Sequence, residues 1–373
     1  MSMLVVGAGP VGLTLGLALH RQGIAFRHIE RASSRFPTSR ALAVQARTLE
    51  AVAPLGMAEL ILAAGLRPAG GTIHLGGAAH SFDLTHDLHP RFPSATLLPQ
   101  SETERLLTER GEALGLPPVE RGVELLALDP VTGEVALSHP DGHRETQQFD
   151  RVLGCDGAHS AVRKLTGLGF EGGRYEQRFL LADGPAEGLD RARLHLFPGR
   201  GGFHFFFPLP DGNWRVVAAL PTGAAEPVDG DLAVFAVNGA RLTRSVWWSA
   251  FNVSHRLASS FHMGRVCIMG DAAHIHSPAG GQGMNIGMQD ACWLALALPC
   301  GEAAIAEWAA GRRAIAKSVL SRTDTMTRML LGDTVATRLL RAMAVRLLPL
   351  LPPARRRLER VLAGLDYPAF DNA

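Results

Sequence analysis

Six residues near the N-terminus, Gly7-Ala8-Gly9-Pro10-Val11-Gly12, limit what this chain can fold into more than any other stretch. An apolar run, Met3 to Val6, precedes them and an amphipathic segment follows to about Gln22. A second apolar run, Ala25 to Ile29, then ends on Glu30. Glycine at the first position permits a tight turn out of a strand. At the second it lets the backbone reach a pyrophosphate, and at the third it lets the helix pack closely. An acid ending the next strand can accept the hydroxyls of an adenosine ribose. The spacing therefore predicts a strand–helix–strand unit with a dinucleotide at the helix N-terminus. Gly7, Gly9, Val11, Gly12, Glu30 and Arg31 are its candidate contacts. Alone, the pattern leaves NAD and FAD both open.

A second glycine-rich stretch lies late in the chain, Gly264 to Ala291, GRVCIMGDAAHIHSPAGGQGMNIGMQDA. An apolar run, Val266 to Met269, meets Gly270-Asp271. A loop of proline and glycine follows, and a helix is predicted to open near Met284-Asn285. A carboxylate at a strand end, here Asp271, can accept hydrogen bonds from a chain of hydroxyls. Gly281 and Gly283 let backbone N–H groups approach a planar, electron-rich ligand, and the helix start adds partial positive charge. These parts suit a flavin, with its ribitol on Asp271 and its reduced ring beside Met284 and Asn285. A third stretch, Arg151 to Arg163, RVLGCDGAHSAVR, predicts a strand ending at Leu153, a turn at Asp156-Gly157 and a helix carrying Ser160 and Arg163. Asp156 can line the approach to the cofactor, with Arg163 as a cationic neighbour.

Together GAGPVG with Glu30, GCDGAHSAVR and GDAAHIHSPAGGQGMN resemble the fingerprint set of the single-component FAD-dependent aromatic hydroxylases, the para-hydroxybenzoate hydroxylase type. SRALAVQARTLE (Ser39 to Glu50) and LPQSETERLL (Leu98 to Leu107) agree with it, and the likeness covers about residues 1 to 330. The resemblance implies that Arg40, Gln100 and Asp271 contact FAD and that Met284 and Asn285 present backbone groups to the isoalloxazine. It also implies an FAD-dependent monooxygenase that takes NADPH or NADH and O2 and hydroxylates a phenolic or polycyclic aromatic through a flavin C4a-hydroperoxide. Arg40, Asp156 and Arg163 are then possible nicotinamide contacts. Baeyer–Villiger oxidation or epoxidation on the same scaffold stays open. A flavin-dependent halogenase is disfavoured, because no WxWxIP stretch exists and Trp247-Trp248 is not one. A flavin-free binding protein on the same scaffold is the non-enzyme alternative. The chain departs from the family at Trp293 and Ala297 in DACWLALAL. It stops at Ala373, near where many relatives continue into a thioredoxin-like domain. Its two tyrosines, Tyr175 and Tyr367, argue against a tyrosine relay to the substrate.

A chain of 373 residues exceeds the usual single core, so two packed lobes are expected in an α/β architecture. The reading is a Rossmann-like FAD-binding domain from residues 1–70, 96–170 and 259–330, interleaved with a β-sheet substrate domain from 71–95 and 171–258. A helical segment, 331–373, follows. Helices are predicted at Arg47 to Glu59 and Glu102 to Leu114, with strands near Val123 to Leu128 and Val135 to Ser138. In the insert, strands are predicted at Ala192 to Pro198, Gly202 to Pro208, Trp214 to Leu220 and Val246 to Val253. Pro210-Asp211-Gly212 signals a hairpin between the middle pair.

The run FHFFF, Phe203 to Phe207, is the candidate substrate wall. As a strand it places Phe203, Phe205 and Phe207 on one face and His204 and Phe206 on the other. His204, His195 and Pro278 are the candidate catalytic residues, although the cofactor carries the chemistry. A net charge of +2 offers no argument for nucleic acid. Cys155, Cys267, Cys292 and Cys300 fall in no zinc-like spacing, which implies reduced thiols in a cytoplasmic protein and no metal site. The N-terminal run has neither a basic leader nor a cleavage site, and no apolar run approaches membrane-spanning length. The expected partners are thus a small aromatic substrate, O2 and NAD(P)H, with the chain a monomer or homodimer. Thr334 to Leu362 alternates leucines with arginines. It can pack as terminal helices on the flavin domain or lie on a membrane, and packing is the reading taken.

Overall fold

The computed structural model describes residues 2–35, 41–84, 88–93, 95–200, 202–220, 223, 232–278, 280–347 and 351–368. Its N-terminal strand, Ser2–Val6, lies inside a six-stranded sheet ordered His262–Met263, Val266–Ile268, Arg151–Gly154, Ser2–Val6, Ala25–Glu30, Glu120–Arg121. The five strands from Val266–Ile268 to Glu120–Arg121 run parallel. Both faces are covered, by helices and by residues of the antiparallel strands Glu124–Leu128 and Glu134–Ser138, which is why Met3, Leu4, Val5, Leu153, Val266, Cys267 and Ile268 are all buried with no polar alternation.

Nine helices follow the chain among the described residues. Pro10–Arg21 (α1) starts on a proline whose missing N–H would have been unpaired there anyway. Ala46–Val52 (α2) and Ala58–Ala64 (α3) replace the single helix expected from Arg47 to Glu59. Pro54 is the reason: the chain tightens to a 3-10 turn at Ala53–Leu55, and Gly56 at φ +74° reverses it. Gln100–Ala113 (α4) and Ala161–Leu165 (α5) flank the parallel sheet, and Gly283–Ala297 (α6) follows its Val266–Ile268 strand. Glu302–Leu331 (α7) is thirty residues long; Val335–Leu347 (α8) and Pro352–Leu362 (α9) follow.

The second large sheet has eight strands, ordered His274–Ile275, Trp247–Ala258, Phe170–Gly184, Trp214–Ala219, Phe203–Pro208, Arg193–Pro198, Gly70–Leu75, Ala78–Asp83. Its hairpin closes where Leu209 N–H meets the Asn213 carbonyl at 2.9 Å, with Gly212 at φ +94°. The Phe run alternates. Phe206 packs with Phe197, Val216, Phe235 and Leu242 in one core, while Phe203 and Phe205 join Phe179, Val217, Phe251 and Leu331 on the opposite face. The long α7 spans both sheets: Glu302 at its start pairs with Arg151 of the parallel sheet, and farther along Asp324 accepts from Tyr175 Oη of the larger sheet at 2.6 Å.

Near the C-terminus α8 packs through one edge only. Arg341 is buried and donates to the Leu330 carbonyl at 2.7 Å and the Gly199 carbonyl at 2.9 Å. Val335, Leu339, Leu340, Met343 and Leu347 form an exposed apolar ladder, so the terminal helices are not fully packed as the leucine pattern suggested.

The tightest helix contact is between α1 and α6. A Cβ on Gly287 would stand 2.7 Å from Val11 Cγ2 and 3.0 Å from Gly270 Cα. Gly287→Ala should therefore cost about 1–3 kcal/mol by overpacking. Adding Val11→Ala should restore part of it by removing the clashing methyl. Thermal unfolding of the single and double variants checks this; an unchanged midpoint in Gly287→Ala contradicts the packing.

Candidate functional site

The first glycine turn is sterically closed except at one point. Gly7 sits at φ +103°, where a Cβ would press to 2.5 Å from the Cys155 carbonyl oxygen, and a Cβ on Gly12 would meet the Gly7 carbonyl. At Gly9 a Cβ would meet nothing within 4 Å, so bare backbone faces open space there. Gly9 is also the N-cap of α1 and supplies no side chain to its first-turn N–H groups. Glu30, at the end of the neighbouring strand, accepts from Ala8 N–H and Ala32 N–H, both at 2.8 Å. Those two bonds aim the carboxylate at the helix start, and each oxygen keeps a second lone pair for a hydroxyl. An uncapped helix N-terminus beside an oriented acid fits the pyrophosphate and ribose of a dinucleotide.

Gln100 opens α4 and donates to Glu104 Oε1 at 2.8 Å; burial pushes the Glu104 carboxyl up. Val11 lies half-buried against Gly270 and Gly287. Arg31 points outward, 3.9 Å from Glu124. Arg40 lies outside the described residues.

The late glycine loop forms the second half of the site. Asp271 stands exposed in the 3-10 turn Gly270–Ala272, and a Cβ on Gly283 would lie 3.9 Å from its Oδ1. The carboxylate thus borders the N-terminus of α6, whose cap residue, Gln282, makes no side-chain cap. Gly280 and Gly281, at φ +88° and +62°, bend the loop where a side chain would be strained. Pro278 is exposed, and its carbonyl accepts from Gly281 N–H at 3.0 Å. Met284 is half-buried. The buried Asn285 side chain works as a clamp: its Nδ2 donates to the carbonyls of Ala43 (2.8 Å) and Gly281 (2.7 Å), and its Oδ1 accepts from Gln45 N–H (2.9 Å).

Two supports of this loop carry no short sequence signal. Asp290, buried on α6, accepts from Arg312 Nε at 2.5 Å, His274 Nε2 at 2.6 Å and Gly270 N–H at 3.3 Å. Residues 361–367 form the other. The Val361 carbonyl accepts from Gln282 Nε2 at 2.9 Å, the Ala363 carbonyl from Arg47 N–H at 3.3 Å, and Asp366 pairs with Arg322.

The remaining candidates have other partners. Asp156 accepts from Ser160 Oγ (2.6 Å), Ala161 N–H (2.7 Å) and Val162 N–H (3.1 Å), which fixes the start of α5. Arg163 donates to the Ala272 and Ala158 carbonyls and lies 3.8 Å from the Phe170 ring centroid, so it braces the Asp271 turn from behind. His204 donates to the Val234 carbonyl at 2.8 Å, and burial pulls its pKa down. His195 is buried between the Asp190 carbonyl (2.9 Å) and His74 (3.0 Å).

An apolar surface meets the loop at Ala43. Ile73, Leu196, Phe205 and Val217 lie directly opposite one another across four strands of the larger sheet, all half-buried on one face. Phe207, two residues on, stacks on Phe205 with centroids 4.1 Å apart and packs with Ala43 and Leu42. Ala43 is the residue whose carbonyl Asn285 holds, and a Cβ on Gly281 would lie 3.6 Å from its Cβ. Arg215 strengthens the junction with a buried bidentate pair to Asp183 (2.8 and 2.7 Å) and a bond to the Ala41 carbonyl at 3.1 Å.

A family model described as an FAD binding domain matches residues 1–197 and 232–323. The chain is 36% identical over 383 residues to 6-methylpretetramide 4-monooxygenase of Streptomyces rimosus, covering 98% of this chain and 68% of that protein. It is 32% identical over 351 residues to pentachlorophenol 4-monooxygenase of Sphingobium chlorophenolicum, covering 89% and 65%. The chain thus spans about two thirds of the length of these curated relatives. Among solved structures, an anhydrotetracycline hydroxylase from Streptomyces rimosus superposes with a TM-score of 0.80 at 29% identity, covering 99% of this chain and 77% of its own.

Glu30→Ala should lower FAD affinity about tenfold or more, because a charge-assisted hydrogen bond is worth about 1.5–3 kcal/mol. Asp271→Ala should weaken retention similarly. Equilibrium dialysis of the apoprotein against FAD reads both; wild-type affinity in Glu30→Ala would remove that residue from the site.

Proposed function

Because this chain belongs to the FAD binding domain family, among relatives that are FAD-dependent aromatic monooxygenases, we propose that it uses FAD, NAD(P)H and O2 to hydroxylate a phenolic or polycyclic aromatic ring. The observation that carries the proposal is the meeting at Ala43 of an uncapped helix N-terminus, an exposed Asp271 and a phenylalanine-rich sheet face. When bound, FAD supplies the electrons, drawn from NAD(P)H, that activate O2.

The chain's own residues hold and aim the reactants. Bare backbone at Gly9 and the start of α1 receive the pyrophosphate, and Glu30 accepts the ribose hydroxyls. Gln100 and Val11 border this half of the cofactor. Asp271 accepts from the ribitol, while Gly281, Gly283 and the backbone of Met284 and Asn285 line the ring. Partial positive charge at the start of α6 favours negative charge gathering there. Asp156 acts at one remove, by holding the turn before α5. Phe205, Leu196 and Val217, with Phe207 and Leu194 packed beside Ala43, form the apolar wall that orients an aromatic ring and keeps water away.

In this reading residues 1–70, 96–170 and 259–330 form the cofactor domain, 71–95 and 171–258 the substrate domain, and 331–373 a helical segment. The names of the relatives, one a chlorophenol monooxygenase, support an aromatic substrate. Four cysteines without disulfides suit a reducing cytoplasm, and among the described residues no helix is long and apolar enough to cross a membrane.

Substrate binding should stimulate NAD(P)H oxidation tenfold or more, since a shift of about 1.4 kcal/mol between two states changes their populations tenfold. Phe207→Ala should alter which aromatic stimulates, while Glu30→Ala should depress turnover with all of them. Oxygen uptake, peroxide and product mass are measured together. A panel in which no aromatic gains oxygen, but a halide with a reductase gives a halogenated product, replaces hydroxylation with halogenation.

A further inference from the structure

Away from the cofactor residues, the hairpin of Glu134–Ser138 and Arg144–Gln148 brings together side chains of a different chemistry. Its turn is His139-Pro140-Asp141-Gly142-His143. Leu137 pairs with Glu145 and Ser138 with Arg144, and His139 N–H donates to the His143 carbonyl at 3.0 Å, so the two histidines oppose each other. Directly opposed residues, and those two apart, share a face. His139, His143 and Glu145 are therefore neighbours on one side of the hairpin, and their possible ligand atoms all lie within 4.8 Å of one another. The imidazoles stack with centroids 3.9 Å apart, and His139 Nε2 meets Glu145 Oε2 at 2.9 Å.

The surrounding groups already orient these three. Asp141 Oδ1 holds His143 Nδ1 at 2.6 Å, which leaves Nε2 as the free ring nitrogen. A carboxylate behind one imidazole nitrogen is the usual support for coordination through the other. Arg27, on the Ala25–Glu30 strand, donates to both oxygens of Glu145 at 2.8 and 3.0 Å and so fixes the carboxylate plane. The side chain of His143 is half exposed, which gives an ion a path in and room for water on its open positions.

We propose that His139, His143 and Glu145 bind a divalent transition-metal ion, best suited to Zn2+, with water completing the coordination. Two imidazoles and one carboxylate select zinc, copper or nickel over calcium and magnesium, which prefer oxygen. At bond lengths of about 2.0–2.1 Å, tetrahedral ligand atoms lie roughly 3.4 Å apart. Closing that difference moves the half-exposed His143 side chain together with the exposed Asp141 carboxylate that holds its Nδ1. Coordination at His139 Nε2 moves its proton to Nδ1, and no redox step is involved. The ion would staple the hairpin, through Glu145 and Arg27, to the Ala25–Glu30 strand of the parallel sheet.

The test uses full-length, FAD-loaded protein stripped with a chelator and titrated with Zn2+ against a chromophoric competitor, with thermal unfolding followed in parallel. Expected are one tight Zn2+ per chain, a raised unfolding midpoint, and affinity reduced tenfold or more in His143→Ala and in His139→Ala with FAD content unchanged. Glu145→Gln should weaken binding while both histidines remain. Wild-type protein that takes up no Zn2+ overturns the proposal. So does a His139→Ala, His143→Ala double variant that binds Zn2+ as the wild type does.

Discussion

The carboxylate of Asp290 is the interaction on which the rest of the site depends. It is buried, yet three donors from three segments converge on it: Arg312 of α7, His274 of the larger sheet and the Gly270 N–H before Asp271. Its own backbone carbonyl accepts from Trp308 Nε1 at 3.0 Å. Burial opposes the charge, but Arg312 and His274 outweigh it and hold the carboxyl below the usual range. Removing one partner of such a pair strands the other charge, typically at about 3–5 kcal/mol. The position of Asp271 relative to α6 is therefore set from behind, by groups buried beneath it.

A similar division holds on the sheet side. Arg215 and Asp183 sit on the same face as Phe205 and Phe207, and the pair fastens that face to the Ala41 carbonyl. The aromatic surface is then free to vary in shape, because its distance from the cofactor loop rests on an ion pair and on Asn285. Rigid polar anchoring with an adaptable apolar wall suits a scaffold whose relatives bear the names of different aromatic compounds.

Much of this was legible from local signals. The turn at Gly7, the acid at Glu30 and the loop after Asp271 announce themselves because each is a backbone requirement confined to a few residues. Alternation in Phe203 to Phe207 sorted its two faces correctly, since period two depends only on the strand being a strand. The split at Pro54 also has a local cause, since a proline inside Arg47 to Glu59 breaks the helix into two. Asp156 shows the opposite limit: Asp-Gly marks a turn, but only the helix that follows makes its carboxylate a cap. Pairings across the fold gave no signal. His274 and Arg312 lie 16 and 22 residues from Asp290, and their meeting is decided by how α6 packs on α7 and the sheet. His139, His143 and Glu145 are close in sequence, yet nothing marks them as a group until the hairpin register places them on one face.

The clamp of residues 361–367 on Gln282 and Arg47 also bears on when the site can exist during synthesis. Gly7 and Glu30 leave the ribosome well before the glycine loop at 278–285 is made. Its clamp is made later still. At about 5–20 residues per second, the interval between the first contact and the last is on the order of tens of seconds. Throughout it, a nascent chain carries the turn at Gly7 and the carboxylate of Glu30 without the segments that brace the glycine loop. Under the proposed function, stable loading with cofactor would then be a late event, following synthesis of residues 361–367.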